Sequence, residues 1–291
     1  MSAPWLILDC HYICHRAFHT AKNLSWKGIS TGVVFGFLKS ITSLKDEFQT
    51  DRVVFCFEHP HLFRRDVYPE YKRRRNTKER TEEEKKSYES LVIQISELRR
   101  RYLPKIGFKN VFSFRGMESD DIMAAVAMNL PKGDSAIIIT ADHDLYQCLG
   151  PNVEMFPPQS FKVLTEDWFI GHYGIRPSQW AVVKAIAGCP SDEVKGVPGV
   201  GEKTALKFVK GELVKTSKAY QAIVSAEGRA IVRRNRALVQ LPFKGCPVPD
   251  LQEDRISRKQ WQEVCADLGM KSIASHPPIS TRKLISNVKR V

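Results

Sequence analysis

The stretch SAIIITADHDLYQ, residues 135–147, holds an apolar run followed at once by two aspartates. Its first six residues form a short run that is rich in β-branched side chains and bounded by polar residues. Such a run is typical of a strand buried on both faces of a sheet. Ligand sites in open parallel sheets gather at the carboxyl ends of the strands. Asp142 and Asp144 stand at that end of the predicted strand, so the stretch predicts a parallel sheet with a functional edge.

Four other runs of this kind are WLILD (5–9), RVVFCF (52–57), NVFSF (110–114) and VEMF (153–156). Helical patterns separate them, which predicts βαβ units and a mainly parallel sheet flanked by helices. The clearest helix is predicted to begin at Thr81, because Thr81 and Glu84 match a capping box. Its apolar stripe is Tyr88, Leu91, Val92, Ile95, Leu98 and Tyr102.

The amino-acid composition and net charge limit the class of protein to which the chain can belong. The 291 residues are 43% hydrophobic and 26% charged, with a net charge of +13, which indicates a globular chain with a polyanionic partner. Nucleic acid is the first candidate and an anionic membrane the second. No apolar run approaches the roughly 18 residues of a membrane span, and the N-terminus lacks the basic region of a signal peptide. Seven cysteines without a Cys-x-x-Cys pair indicate free thiols in a reducing cytoplasm.

Residues 10–15, CHYICH, raise the alternative of a zinc site. Their Cys-x3-Cys spacing misses the common zinc knuckle, and no second ligand pair stands out elsewhere. A packed first helix is the preferred interpretation.

Acidic residues recur at the predicted strand ends. Asp9 ends the first strand, Glu58 follows the second, and GMESDD (116–121) stands before an apolar helix. Any one of these carboxylates could simply cap a helix. Together they indicate a Mg²⁺ or Mn²⁺ site, because crowded carboxylates take up protons or bind cations. The full set is Asp9, Glu58, Glu118, Asp120, Asp121, Asp142 and Asp144.

Two further segments suit a phosphate backbone. FRRDVYPEYKRRRNTKER (63–80) carries eight basic residues with interleaved tyrosines, which predicts phosphate binding and stacking, although a solvated loop is the alternative. GVPGVGEKTALKFV (196–209) places glycines before a helix that opens with Lys203 and Thr204. It is typical of a helix-hairpin-helix that grips the backbone, or less specifically of an ordinary turn. The Walker A spacing is absent.

Taken in order, these motifs resemble the 5′ nuclease family, which includes phage and bacterial flap endonucleases, 5′-3′ exonucleases and the nuclease domain of bacterial DNA polymerase I. The resemblance runs from about Trp5 to about Leu241 and includes TADHDLYQ (140–147). It implies a PIN-like α/β nuclease domain over residues 1–173, with a basic helical arch at about 60–103. Residues 174–291 would form a helix-hairpin-helix region with a basic C-terminal tail.

The resemblance also implies residue roles. Two Mg²⁺ ions, with Mn²⁺ as an alternative, would activate water and stabilise the leaving 3′ oxygen. Their ligands would be the seven carboxylates above together with Asp192, and the catalytic residues would be Asp120, Asp121, Lys72 and Arg75. DNA would contact Arg64, Tyr71, Lys72, Arg73, Arg75, Gly199, Gly201, Lys203 and Thr204. A K⁺ could bind the hairpin at Val197 and Val200.

This chain departs from the family pattern at two places. Glu58 stands where the family usually has Asp. GCPSDE (188–193) places Cys189 at a usual acid and Glu193 at a usual Asn. Because Mg²⁺ prefers oxygen, either Glu193 supplies the lost oxygen or the second metal is held more loosely, which would favour Mn²⁺.

The sequence therefore predicts a metal-dependent 5′ nuclease of replication or repair, leaving 5′ phosphate and 3′ hydroxyl ends. Its substrate would be DNA with 5′ flaps or free 5′ ends, or an RNA–DNA hybrid. A cytoplasmic monomer in a bacterial or phage-infected cell, without membrane contact and with a polymerase acting in trans, is expected. The alternatives are a DNA-binding protein with a lapsed active site and a PIN-like ribonuclease.

Overall fold

The computed structural model describes residues 2–21, 23–74, 79–279 and 289–290. A five-stranded sheet lies at its centre, and its strands are β1 (Trp5–Asp9), β2 (Val53–Cys56), β3 (Val111–Phe112), β4 (Ala136–Ile139) and β5 (Val153–Phe156). All neighbours pair in parallel, in the order β3-β2-β1-β4-β5. The predicted parallel sheet is confirmed, and each strand matches a predicted run to within two residues at either end.

Helices flank this sheet. In chain order they are α1 (Cys10–Ala21), α2 (Gly32–Phe48), α3 (Arg64–Val67), α4 (Glu82–Glu97), α5 (Leu103–Ile106), α6 (Ser119–Ala127), α7 (Glu166–Tyr173), α8 (Trp180–Ala187), α9 (Glu202–Val209), α10 (Lys218–Val224), α11 (Ala226–Val239), α12 (Arg258–Asp267) and α13 (Lys271–Ala274). A π-helical turn covers Leu98–Tyr102, and 3-10 turns cover His143–Cys148, Pro177–Gln179 and Pro190–Asp192. Two-residue strands pair Ser25–Trp26 with Ile29–Ser30, Lys162–Val163 with Lys289–Arg290, and Gly188–Cys189 with Val194–Lys195.

The two faces of the sheet bury different helices, because successive side chains of a strand point in opposite directions. Leu6 and Leu8 of β1 pack in a core with residues of α1, α2 and α12. Trp5 and Ile7 pack on the other face in a core with residues of α6, α8 and α9. Both faces are thus covered, which explains why the strands are continuously apolar.

The order of the sheet reverses at β1, because β2 and β3 lie on one side of it and β4 and β5 on the other. A hydrogen bond links the carboxyl ends of β1 and β4 at this point: Thr140 Oγ1 donates to Asp9 Oδ2 at 3.1 Å. Such a reversal opens a crevice at the strand ends, and open α/β sheets bind their ligands there. The fold therefore places Asp9 at the position where a site is expected.

Helix α4 begins as predicted. Thr81 and Glu84 form the capping box in both directions. Its predicted apolar stripe is only partly correct, since Leu91 is buried but Tyr88 and Val92 are 42% and 48% exposed. The exposed part of the stripe borders a cavity at the strand ends.

Helix α1 is the packed first helix that CHYICH favoured, because Cys10, Ile13 and Cys14 are buried. His11 Nδ1 accepts a hydrogen bond from the Glu58 backbone amide at 3.1 Å. All seven cysteines are free thiols. Within the described ranges, no helix combines the length and apolarity needed to cross a membrane.

Helices α8 and α9 form the predicted helix-hairpin-helix and are joined through the glycine-rich turn. Val197 N donates to Ile186 O at 2.8 Å, and buried Asn235 of α11 donates to Ala185 O and Lys195 O. Gly199 has φ +73°, a conformation that glycine adopts without strain. These hydrogen bonds therefore fix the backbone of the connection between the two helices.

The predicted boundary between residues 173 and 174 does not coincide with a break in the core. Trp180 and Val183 of α8 belong to the same buried cluster as β4 residue Ile138. Trp261 of α12 belongs to the core of the opposite face. The predicted basic tail lies largely outside the described residues. The chain just before it, with α12 and α13, is described.

Candidate metal and nucleic-acid site

A cavity of about 800 Å³ opens at the carboxyl ends of β1, β2 and β4. Asp9, Glu58, Asp120 and Asp142 line its floor at the strand ends, and Lys72 lies beside them. The opposite wall is the α4 side, where the lining residues are Arg80, Tyr88, Leu91, Val92, Ile95 and Arg99. The cavity thus combines an acidic floor with a basic and apolar wall.

Two carboxylates on this floor are Asp9, which is buried, and Asp120, which is partly buried. Asp9 is held at the end of β1 by the Tyr12 amide, 3.0 Å from Oδ1, and by Thr140. Burial raises the pKa of Asp9 to about 6, and neighbouring Asp142 adds to the rise. Burial also raises the pKa of Asp120 well above its usual range, reinforced by the charges of Asp142 and Asp9. The ionised forms of both carboxyls are therefore disfavoured, and a nearby cation would favour them.

Asp142 and Asp144 follow β4, as predicted. Asp142 Oδ1 accepts a hydrogen bond from the Asp144 amide at 2.8 Å and so begins the 3-10 turn. Burial raises the pKa of Asp144 to about 6 and Asp142 adds to it, although Lys184 pulls it down. Lys184 Nζ lies 3.1 Å from Asp144 Oδ1. Asp144 is thus already paired with a cation from α8.

Glu118 is buried beneath the floor. Lys72 Nζ contacts its Oε1, Tyr71 donates to its Oε2 at 2.7 Å, and Arg64 lies 3.1 Å from Oε2. Burial alone would raise the pKa of Glu118, but Lys72 and Arg64 outweigh it and hold that pKa below its usual range. Glu118 is therefore an ionised anchor for the arch, and its place among metal ligands stays a prediction.

The carboxylate oxygens of Asp121 contact several protein partners. Arg64 forms a two-pronged ion pair with it at 2.5 and 2.8 Å, with both side chains buried. Asp121 also accepts from the amides of Glu118 at 3.0 Å and Phe243 at 2.7 Å. In this structure the Asp121 carboxylate joins α3 and α6 to the chain beyond α11, and its place as a catalytic metal ligand stays a prediction.

Two residues that are predicted to contact DNA are buried in this structure. Arg64 is 2% exposed, donates to the Leu238 carbonyl at 2.7 Å and pairs with Asp121. Tyr71 is 4% exposed and donates to Glu118, and the DNA contacts of both residues stay predictions. A local sequence pattern could not show this burial, because the partners of both residues are 47 or more positions away.

The rest of the basic segment is accessible in part. Lys72 is buried in its contact with Glu118 but borders the cavity, and its backbone has φ +53°. Its amide donates to the Asp192 carbonyl at 3.0 Å, which ties the segment to the α8–α9 connection. Arg73 is exposed. Arg75 lies outside the described residues.

The α8–α9 connection supplies a second group of possible metal donors. Cys189 Sγ lies 3.7 Å from Asp192 Oδ2 and 3.9 Å from Asp144 Oδ2. Burial raises the pKa of Cys189 to about 12, and Asp144 and Asp192 add to it. Across the described part of the chain, this is the one set of three His, Cys, Asp or Glu side chains whose donor atoms all lie within 4.8 Å of one another.

The Glu193 carboxylate contacts Arg74 in this structure. Its Oε2 accepts from the Arg74 amide at 2.7 Å, and its Oε1 lies 3.5 Å from the Arg74 guanidinium. The carboxylate therefore points toward the arch. Glu58 lines the cavity floor, where its extra methylene relative to Asp extends its reach.

The hairpin residues occupy the predicted turn. Gly201 precedes the first residue of α9, and Gly201 and Lys203 are exposed while Thr204 is half-buried. Val197 and Val200 are buried, and the Val200 amide donates to the Val197 carbonyl at 3.0 Å. Binding of DNA and K⁺ by this turn stays a prediction.

Sequence reasoning missed three contributors. Thr140 fixes Asp9, Lys184 neutralises Asp144, and His11 borders the cavity with its pKa lowered to about 4 by burial. The position of Thr140 could have been predicted locally, since it is the last residue of the strand-like run SAIIIT. Lys184 lies 40 positions from Asp144 on an apolar helix, so no local pattern links them.

A parallel sheet carrying carboxylates at its reversal point places the chain in the PIN-like 5′ nuclease class of α/β folds. The profile of the 5′-3′ exonuclease N-terminal resolvase-like domain matches residues 4–174. The chain belongs to this 5′-3′ exonuclease family, and the resemblance read from its motifs is confirmed.

Individual relatives agree with that membership. A thermostable DNA polymerase I of Thermus thermophilus is 34% identical over 209 residues, covering 70% of this chain and 24% of that protein. The chain thus spans about a quarter of the length of these polymerase relatives. A 5′-3′ exonuclease of Buchnera aphidicola is 29% identical over 211 residues, covering 71% and 70%. The bacteriophage T5 flap endonuclease, in a complex with DNA and metal ions, superposes with a TM-score of 0.70 at 22% identity, covering 94% and 99%.

Proposed function

We propose that this protein is a divalent-metal-dependent, structure-specific 5′ nuclease that cleaves DNA at 5′ flaps or free 5′ ends. The observation that carries the proposal is the acidic cavity floor lined by Asp9, Asp120 and Asp142, where burial and the neighbouring carboxylates raise the pKa values of Asp9 and Asp120. A divalent ion would offset this repulsion and supply Lewis-acid chemistry at a phosphodiester. Hydrolysis would leave a 5′ phosphate and a 3′ hydroxyl.

The chain's own residues divide the work. Asp9, Asp120 and Asp142 would hold one Mg²⁺ or Mn²⁺ ion, with Glu58 lining the same cavity, and Asp144 and Asp192 would serve a second ion. Lys72 and Arg75 would neutralise the scissile phosphate. The contact of Lys72 with Glu118 keeps its ammonium at the floor of the cavity.

DNA beyond the cleavage point would be held by its backbone. The exposed Arg73, Lys203 and the glycine-rich turn with Thr204 supply cationic and amide donors without reading bases. Such contacts make affinity fall steeply with salt. The related T5 enzyme was crystallised with DNA, which supports a DNA partner for this chain.

The cellular setting is a further part of the proposal. We infer a cytoplasmic protein of replication or repair that works as a monomer, with a DNA polymerase acting in trans. RNA in an RNA–DNA hybrid is a further substrate, since backbone contacts do not select against it. The hairpin would hold a K⁺ through backbone carbonyls.

One gel tests the proposal. Wild type, Asp120→Asn and Asp250→Asn are incubated with a 5′-labelled DNA flap in Mg²⁺, Mn²⁺ or EDTA. Asp250 is an exposed acid away from the cavity and serves as the matched control. Metal-dependent release of the flap by wild type and control, with binding but no cleavage by Asp120→Asn, supports the nuclease. Failure of wild type to cut DNA or RNA flaps in either metal overturns it.

A DNA-binding protein with a lapsed active site is the second candidate, because Cys189 stands at a usual acid and Lys184 already neutralises Asp144. It predicts salt-sensitive flap binding without cleavage in any metal. The PIN-like ribonuclease alternative is disfavoured by the α8–α9 hairpin, which suits a duplex backbone.

A further inference from the structure

The donor set beside the cavity is chemically unlike its floor. Cys189 is 4% exposed, and its sulfur lies between one oxygen of Asp144 and one of Asp192. Ser191 Oγ is 3.3 Å from the same sulfur. The ladder between Gly188–Cys189 and Val194–Lys195 fixes the backbone here. A sulfur donor is thus held in a position from which it can face an ion together with two oxygens.

Sulfur and oxygen donors select different ions. Mg²⁺ requires an octahedron of oxygens, whereas Zn²⁺ and Co²⁺ accept mixed sulfur and oxygen sets. Zinc sites with three protein ligands leave a fourth position open. We propose that Asp144, Cys189 and Asp192 form a mixed thiolate–carboxylate site for a zinc-class divalent ion, while the oxygen-only floor takes Mg²⁺ or Mn²⁺. The inference rests on the proposed function only for the role of the floor.

Charge balance supports this assignment. When the ion binds, the Cys189 thiol releases its proton to solvent, and the three ligands then carry three negative charges. A divalent ion offsets two of these charges, and two lysines flank the set: Lys184 lies 3.1 Å from Asp144, and Lys72 lies 3.8 Å from Asp192. Buried charges are retained in proteins when they are paired in this way. Lys184 is therefore a positioning residue for Asp144.

Cobalt tests the site directly. Metal-free protein is titrated with Co²⁺, and thiolate-to-cobalt absorption in the near ultraviolet is recorded for wild type, Cys189→Ser and Cys246→Ser. Cys246 lies outside the donor set and is the matched cysteine control. The band is expected in wild type and in Cys246→Ser, and its loss in Cys189→Ser. Zn²⁺ should displace Co²⁺ from the wild type, whereas millimolar Mg²⁺ should not.

The affinity for Zn²⁺ provides the second measurement. Cys189→Ser should weaken binding by at least about tenfold, since even the loss of an outer-shell partner costs metal affinity on that order. Cys189→Asp should restore an oxygen-only set that Mg²⁺ can occupy. Cobalt binding without a sulfur band, a band that persists in Cys189→Ser, or displacement by Mg²⁺ would each overturn the proposal.

A flap-cleavage assay in parallel separates this inference from the proposed function. Cleavage in Mg²⁺ without a sulfur band overturns the zinc-class site and leaves the nuclease standing. A sulfur band without cleavage in any ion supports the site and overturns the nuclease.

Discussion

Adjacent aspartates in GMESDD have opposite environments. Asp120 faces the cavity among other carboxylates, whereas Asp121 points inward and pairs with Arg64. One residue of helical rotation therefore separates a candidate metal ligand from a structural ion pair. This difference gives the two positions opposite expected responses to the same substitution.

Asp121→Asn should destabilise the fold by about 3–5 kcal/mol, because it removes the charge of one partner of a buried ion pair and leaves Arg64 with Glu118 alone as counter-charge. Asp120→Asn should leave the stability of the metal-free protein unchanged or raise it, since it removes a repelled carboxylate. Urea unfolding in EDTA measures both free energies. Equal losses for the two variants would contradict the assignment.

Stability should also depend on pH through Asp9 and Asp144, whose pKa values are both raised to about 6. Between about pH 4 and pH 6 the folded protein binds more protons than the unfolded chain, so their contribution is complete below about pH 4 and is lost as pH rises through 6. The loss is on the order of 3 kcal/mol for Asp9. Mg²⁺ should restore stability at pH 7.

Thermal unfolding in EDTA and in Mg²⁺ at pH 4, 5, 6 and 7 checks this prediction, with Asp9→Asn as the control. The stability of Asp9→Asn relative to wild type should increase from pH 4 to pH 6. A constant difference would show that the Asp9 carboxyl does not titrate as described.

At the scale of elements, α4 is both a wall of the cavity and a cap for α2. The side-chain oxygen of Gln94 accepts from the amides of Val33 at 3.0 Å and Val34 at 3.3 Å. Its amide nitrogen donates to Ser30 and Ser90. The Gln94 side chain therefore fixes the position of α4 relative to the start of α2.

Gln94→Ala should cost about 2 kcal/mol, because it leaves buried amides at the start of α2 without a partner. Glu89→Ala, an exposed change on the same helix, is the control and should cost less than about 0.5 kcal/mol. Chemical denaturation provides both values. Equal small effects would mean that α2 finds another cap.

Sequence predicted the elements better than their partners. The five strands and the Thr81 capping box follow from local apolar runs and cap residues, so they could be read directly. The roles of Arg64 and Tyr71 could not, because charge and aromatic character look alike whether a side chain meets DNA or a buried carboxylate. The Asp144–Cys189 proximity required the fold, since 45 positions separate the two residues.

At the scale of the whole molecule, the region after the hairpin is part of the main core. Trp261 of α12 is fully buried, and its indole nitrogen donates to the Ile273 carbonyl at 3.0 Å. The segment before α12 is tied to the sheet side as well, since Arg255 N donates to Gly107 O at 2.9 Å. Helix α12 therefore belongs to the same folding unit as the central sheet.

Trp261→Ala should destabilise the whole protein by about 3–5 kcal/mol, as expected for truncation of a buried aromatic residue. Gln262→Ala, an exposed neighbour, should change little. Unfolding followed by far-ultraviolet circular dichroism should remain a single transition. A separate early transition for the variant would show that the C-terminal helices fold as an independent unit.

The central position of β1 has a consequence for synthesis on the ribosome. This strand is made first, yet it pairs on one side with β2 and on the other with β4, which ends at Ile139. At 5–20 residues per second, β4 follows β2 by on the order of ten seconds. During that interval the edge of β1 that β4 later pairs stays open, and nascent chains can associate through such an unpaired strand edge.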